Sequence, residues 1–171
     1  KHFELDDGPV EVLHDVSFSI KRGSFTIIYG PSGSGKSTLL NVLTGLEPPS
    51  SGTVQVDGTF LYTINADERA AFRARTIGMV YQTNFWIDSL TAVENVALPL
   101  YLSGRSHQEA INEAQASISR VGMEKYAKYR PGLLSGGQQQ RISMARASIV
   151  SPILLVADEP TGNLDSKNGD F

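Results

Sequence analysis

Apolar residues fall along this chain in three rhythms. Near the start, Val10, Val12, Val16, Phe18 and Ile20 mix alternation with short apolar stretches, the habit of a β-rich entry. Ser24–Tyr29 is dense in β-branched and aromatic residues and predicts a buried strand. Thr53-Val54-Gln55-Val56-Asp57 alternates ahead of Gly58, which predicts a strand and a turn. Ile77-Gly78-Met79-Val80-Tyr81 predicts a second buried strand, and the wholly apolar run Ile153–Ala157 a central parallel one. Between about residues 85 and 134 the rhythm turns helical. Ala110, Ile111, Ala114, Ile118 and Val121 recur at helical spacing up to a stop at Gly122. Leu90–Leu98 followed by Pro99 predicts a helix kinked or broken at the proline. Strands interleaved with helices place the chain in the α/β class, with the strandless block after Phe85 as a helical insertion.

The polar positions punctuate this pattern. Lys21-Arg22-Gly23 is a turn, and Pro48-Pro49-Ser50-Ser51-Gly52 a loop. Asn65 with Glu68, and Ser106 with Glu109, have the spacing of reciprocal helix caps. Arg69, Arg73 and Arg75 form a solvated helix face, and the adjacent aromatics Phe85 and Trp86 are expected in a core. Composition adds limits. The 171 residues suit one domain with its own core, at 40% hydrophobic and 19% charged. A net charge of −3 gives no broad basic field for nucleic acid, and the absence of cysteine excludes disulfides and thiolate metal sites. No apolar run is long enough to span a bilayer, and no signal-peptide core opens the chain. A cytosolic location is therefore expected, with any membrane link made through a partner.

The chemistry centres on Gly30-Pro31-Ser32-Gly33-Ser34-Gly35-Lys36-Ser37-Thr38, which fits G-x-x-x-x-G-K-[ST] between a predicted strand and a short helix ending at Gly45. The glycines let successive N–H groups turn inward on phosphate oxygens, and the helix start adds unpaired donors. Lys36 supplies a charge for the β- and γ-phosphates, and Ser37 a hydroxyl where Mg2+ would sit. Gln82 follows a strand end, where ligands bind in open α/β sheets; alone it equally suits a loop glutamine bonded to backbone. Leu134-Ser135-Gly136-Gly137-Gln138 is a second glycine-rich turn into a helix whose apolar face holds Ile142, Ala145 and Ile149. Asp158 and Glu159 close the run Ile153–Ala157. Two carboxylates at the end of a buried strand are costly without cations. Asp158 then partners Mg2+ with the loop hydroxyl, and Glu159 is the general base toward water attacking the γ-phosphate. Phe3 suits either adenine stacking or an edge-strand core.

Taken in order, Gly30–Thr38, Gln82, Leu134–Gln138 and Ile153–Glu159 closely resemble the nucleotide-binding domain of ABC transporters, across essentially the whole chain. The resemblance implies a P-loop NTPase fold with a mainly parallel core sheet, an N-terminal antiparallel β-subdomain and an inserted helical subdomain. It divides the chain into a β-subdomain with the Walker A core (1–84), a helical subdomain (85–134), and the signature helix, Walker B and D-loop (135–171). It implies ATP and Mg2+ as ligands, with Lys36, Gln82 and Glu159 in catalysis and Ser37, Gln82 and Asp158 around the metal. Ser135, Gly136, Gly137 and Gln138 match the signature that contacts ATP held by a second subunit, in a homo- or heterodimer. Asn163-Leu164-Asp165 matches the D-loop, and Phe3 the adenine-stacking aromatic, where tyrosine is commoner. Leu90–Leu100 and Ala157–Asp165 look like the branch of lipoprotein-releasing, macrolide-efflux and cell-division ATP-binding subunits. The partners implied are a second ATP-binding subunit and a transmembrane permease, at the cytoplasmic face of a membrane, with no nucleic acid.

Alternatives within the P-loop class fit less well. Chromosome and repair ATPases carry long coiled coils between Walker A and the signature, and that interval here has no sustained heptads. Translation-type relatives carry two such domains in one chain. A small P-loop kinase lacks both the signature and Glu159. The family's switch histidine has no counterpart, since His2, His14 and His107 lie elsewhere and the sequence stops at Phe171. The expectation is a chain missing its C-terminal part that binds nucleotide weakly and hydrolyses it poorly. Extending it through that histidine is expected to raise steady-state ATP turnover; equal turnover with and without the extension would refute the expectation.

Overall fold

The structure is a computed structural model that describes residues 1–160. It forms two compact units, Lys1–Arg69 and Ala70 onward. In the first, β1 (His2–Leu5) and β2 (Gly8–Glu11) make an antiparallel hairpin that pairs Phe3 with Val10. The turn is two residues, and Gly8 leaves it at φ 110°, a conformation open to glycine without strain. α1 (Lys36–Leu43) follows the Gly30–Gly35 loop and ends at Thr44, whose buried hydroxyl donates back to the Leu40 carbonyl at 2.8 Å. A second hairpin joins β3 (Gln55–Val56) to β4 (Thr59–Phe60). Tyr62 Oη lies 2.6 Å from the carbonyl oxygens of Val42 and Glu47, which fixes the exit of α1.

α2 (Ala66–Thr76) starts at the Asn65–Glu68 cap, where each side chain bonds the other residue's backbone N–H. β5 (Ile77–Val80) and β6 (Leu154–Ala157) then pair in parallel, Ile77 opposite Leu154 and Val80 opposite Ala157. The long connection between them is α3 (Ala92–Leu102), α4 (His107–Arg120) and α5 (Gly136–Ser148). These helices share one core, in which Val96, Ala97, Ala110, Ala114, Ile118, Ile142 and Ala145 are fully buried. The alanines let the helix backbones approach closely, and Ser117 uses that closeness to donate to the Ala145 carbonyl at 2.9 Å. Buried Asn95 on α3 accepts the Ile87 N–H and turns its amide on the carbonyls of Ile87, Leu90 and Thr91, which ties the preceding loop to the bundle.

Sequence and structure differ at four places. Ser24–Tyr29 forms no strand. It makes no ladder bonds, and Phe25 and Tyr29 are 89% and 91% exposed. No strand among the described residues pairs with it, and apolar patterning alone cannot supply ladder partners. Pro99 does not end α3, which runs on to Leu102 and is closed by the Ser103 N–H on the Pro99 and Leu100 carbonyls. Burial of Leu100 in the shared core offsets the one ladder bond the proline removes. β6 is parallel as expected, but Leu155 is 46% exposed, because among the described residues only β5 pairs with it. Of the two adjacent aromatics, Trp86 packs on the helical core while Phe85 is 66% exposed.

β5 and α5 meet at Gly78. A Cβ there would collide with the Ala147 carbonyl oxygen and lie 2.9 Å from Leu155 Cδ1. The first obstacle is backbone and cannot rotate away. Gly78→Ala is expected to cost about 3 kcal/mol, the upper end of ordinary overpacking, read as a lowered midpoint in urea unfolding of the full chain. An unchanged midpoint would show that α5 shifts freely.

Candidate functional site

In the first unit, the Gly30–Gly35 loop is built as a cradle. Gly33 and Gly35 take φ 79° and 86°, conformations that side chains resist. A Cβ on Gly30 would come within 2.7 Å of Ser34 Oγ, so a larger residue there would have to turn that hydroxyl aside. Gly35 is the N-cap of α1 and offers no side-chain oxygen, which leaves the first-turn N–H groups free of a cap. Lys36 Nζ donates to the Gly30 and Pro31 carbonyls at 2.9 and 3.0 Å, across the mouth of the loop. Uncapped donors, a positive helix end and an ammonium held over them suit an anion of phosphate size. Ser37 and Thr38 lie in the first turn of α1, and Pro31 and Ser32 are exposed on the loop. Phe3 lies on β1, half-buried, with Lys1 Nζ 4.6 Å from its ring centroid.

In the second unit, the N-terminus of α5 is handled the opposite way. Ser135 is its N-cap: Ser135 Oγ accepts the Gln138 N–H at 3.4 Å, and Gln138 Oε1 accepts the Ser135 N–H at 2.9 Å. Gln138 is thereby occupied in shaping the turn. The hydroxyl proton of Ser135 and the N–H groups of Gly136 and Gly137 stay available to an incoming anion. The Ser-x-x-Gln spacing carries this cap in plain sight, and Thr91 with Glu94 makes the same reciprocal pair. The Thr91 hydroxyl and N–H both donate to Glu94, which holds that carboxyl below its ordinary pKa.

Parallel pairing brings the acidic and amide side chains together. Gln82 lies two residues beyond Val80, and Glu159 two beyond its partner Ala157. The Asp158 N–H donates to the Val80 carbonyl at 2.9 Å and carries the register past the last strand residue. Gln82 Nε2 then donates to Glu159 Oε2 at 2.9 Å. Both side chains are exposed, which suits groups that meet a ligand, and Glu159 sits at φ 46°, an uncommon backbone for a non-glycine residue. The loop leaving Gln82 is held from α5. Arg146 donates to the Asn84 and Phe85 carbonyls and lies 4.4 Å from the Trp86 ring centroid, while Trp86 Nε1 donates to Gln139 Oε1 at 2.8 Å. Burial pulls the Arg146 guanidinium below its ordinary pKa and pushes the Tyr81 phenol up, against the opposing fields of Arg73 and Arg146. Nothing in the sequence reading flagged Arg146; the signal available was an arginine on the helix face turned toward the two aromatics. The D-loop residues Asn163, Leu164 and Asp165 lie outside the described residues.

Comparison with known proteins places these elements in context. The sequence profile of the family described as ABC transporter matches residues 13–162. The chain is 41% identical over 170 residues to the lipoprotein-releasing system ATP-binding protein LolD of Shewanella frigidimarina (strain NCIMB 400), covering 99% of this chain and 71% of that protein. Among solved structures, the dimeric structure of MJ0796, a bacterial ABC transporter cassette, matches with TM-score 0.92 at 40% identity, over 99% of this chain and 75% of that one. The dimeric post-hydrolysis state of the same cassette bound to ADP and Pi matches with TM-score 0.91 at 39% identity, with the same coverage.

The two helix starts are expected to respond differently to substitution. Lys36→Ala should weaken ATP binding roughly tenfold or more, the scale of a charged phosphate contact, while leaving the unfolding midpoint unchanged. Ser135→Ala removes a cap and should cost about 1 kcal/mol of stability. Titration calorimetry and urea unfolding on the same preparations read both. Loss of stability in Lys36→Ala, or none in Ser135→Ala, contradicts the assignment.

Proposed function

Because the chain belongs to the ABC transporter family, we propose that it is the ATP-binding subunit of a transporter that extracts lipoproteins from a membrane. The observation that carries the catalytic part is the Gln82–Glu159 pair at the common end of β5 and β6. The branch assignment is supported by the likeness to the lipoprotein-releasing ATP-binding protein, and the two-subunit assembly by the dimeric cassettes.

The residues divide the work as follows. The Gly30–Gly35 loop and Lys36 bind the phosphate chain, with Phe3 stacking the adenine ring. The Ser37 hydroxyl, the Gln82 amide and the Asp158 carboxylate are hard oxygen ligands that would suit Mg2+, which would supply Lewis-acid charge to the phosphate chain. Glu159 accepts the proton of the attacking water, and the Gln82 amide aims its carboxylate. The Ser135 hydroxyl and the Gly136 and Gly137 N–H groups cap the γ-phosphate of ATP held by a second copy or a paralogue. ATP thus bridges two subunits, and its hydrolysis to ADP and phosphate cuts the bridge.

The subunit works at the cytoplasmic face of the membrane through a permease. No helix among the described residues is long and apolar enough to cross a bilayer. A groove of about 500 Å³ beside the Gln82 loop is lined by Ala74, Met79, Phe85, Leu98, Pro99 and Leu102. Phe85 and Leu102 stand exposed on its rim. We assign the permease contact to this groove, since exposed apolar surface next to the loop under Gln82 suits a partner helix.

Glu159→Gln keeps the shape of the pair and removes the base. It is expected to accumulate an ATP-bound dimer, seen as an ATP-dependent increase in mass by light scattering, with hydrolysis reduced by two or more orders of magnitude, roughly the contribution of general-base catalysis. A mass shift no larger than the parent's would sink the base assignment.

A further inference from the structure

Gln82 is aimed at Glu159 from a loop that has no regular structure of its own. Residues 82–87 form neither helix nor strand, and Phe85 holds φ 45° within them. Such a segment places its glutamine only as well as something else holds its backbone. α5 supplies the hold. The Arg146 guanidinium spans two consecutive carbonyls, those of Asn84 and Phe85, the latter at 3.2 Å. The same guanidinium stacks on the Trp86 indole. Trp86 reaches back along α5 to Gln139, seven residues and about two helical turns from Arg146. Gln139 in turn donates to the Pro131 and Leu134 carbonyls at 3.1 and 3.2 Å, on the segment that delivers Ser135. An unbroken set of contacts therefore runs from the residue before the signature to the residues just after Gln82.

Arg146 is half-buried, and the contacts of its guanidinium are with neutral groups: two carbonyls and a ring. If packing were its whole role, an apolar side chain of similar length would do as well without the desolvation cost. What the guanidinium adds is geometry, a rigid fork that fixes two adjacent peptide groups at once. We propose that Arg146, with Trp86 and Gln139, is a strut that transmits the position of the signature helix to Gln82, so that Arg146 is a positioning residue for ATP hydrolysis. The strut acts through Gln82 and touches neither nucleotide nor water. It rests on Gln82 and Glu159 acting in hydrolysis, as proposed above.

The test uses the full-length protein. Steady-state hydrolysis of MgATP is measured for the parent, Arg146→Met, Arg146→Lys and Trp86→Phe, with folding checked by circular dichroism. Arg146→Met is expected to lower kcat roughly tenfold while KM for MgATP stays within about twofold, the pattern of lost transition-state positioning. Arg146→Lys keeps the charge but not the fork, and should recover only part of the loss. Trp86 is the one tryptophan of these 171 residues, and the difference in emission between the parent and Trp86→Phe isolates its signal as a report on the strut. ATP should shift that emission in the parent and not in Arg146→Met. If Arg146→Met does not fold, Trp86→Phe decides: it removes the indole N–H bond to Gln139 and part of the ring under the guanidinium, and should lower kcat about threefold at unchanged KM. Parent-like kcat in the folded variants, or a raised KM with kcat kept, overturns the strut. Glu159→Gln run alongside separates the two readings. If it keeps the parent rate, the assignment of Glu159 fails and the strut fails with it. If it loses the rate while the Arg146 and Trp86 variants keep theirs, only the strut is overturned.

Discussion

The parallel register of β5 on β6 is the constraint on which the described site depends. With Val80 opposite Ala157, residues an equal distance beyond each strand arrive at the same place. That equality is what lets the Gln82 amide meet the Glu159 carboxylate at 2.9 Å. A slip of one residue would turn every side chain of one strand to the other face and separate the pair. The register is in turn secured from behind, because α5 lies so close at Gly78 that the two strands have little freedom to slide.

The two glycine-rich helix starts solve opposite problems with similar residues. At α1 the cap position is given to Gly35, so the first-turn donors are left without a side-chain partner. At α5 the cap is a full reciprocal pair between Ser135 and Gln138, so the turn is rigid before any ligand arrives. A loop that wraps a phosphate chain gains from unsatisfied donors. A motif that meets an anion presented by another molecule gains from having its own geometry settled, since less ordering is left to be done on contact.

Much of this was legible in the sequence. The glycine loop, the caps at Asn65 and Ser106, the strand after Thr76 and the apolar strand before Asp158 all follow from local spacing, and the structure has them. Local rules failed where pairing or distant packing decides. Ser24–Tyr29 has the composition of a strand but no partner strand among the described residues, and α3 survives Pro99 because Leu100 is buried by other helices. The bond between Gln82 and Glu159 joins residues 77 positions apart, and Arg146 meets Asn84 across 62. No short window of sequence contains such a contact. Motif order suggested that these residues belong together, while only the strand register and the helix packing say how.

The backbone of Glu159 carries one more implication, for anyone seeking to make this protein hardier. At φ 46° a glycine or asparagine would sit with less strain than a glutamate, by about 1 kcal/mol. Selection for heat resistance alone would therefore tend to erase the carboxylate that receives the Gln82 amide. A change that favours durability and one that, on the proposed role of Glu159, abolishes turnover would then fall on the same residue, and a screen blind to activity would keep it.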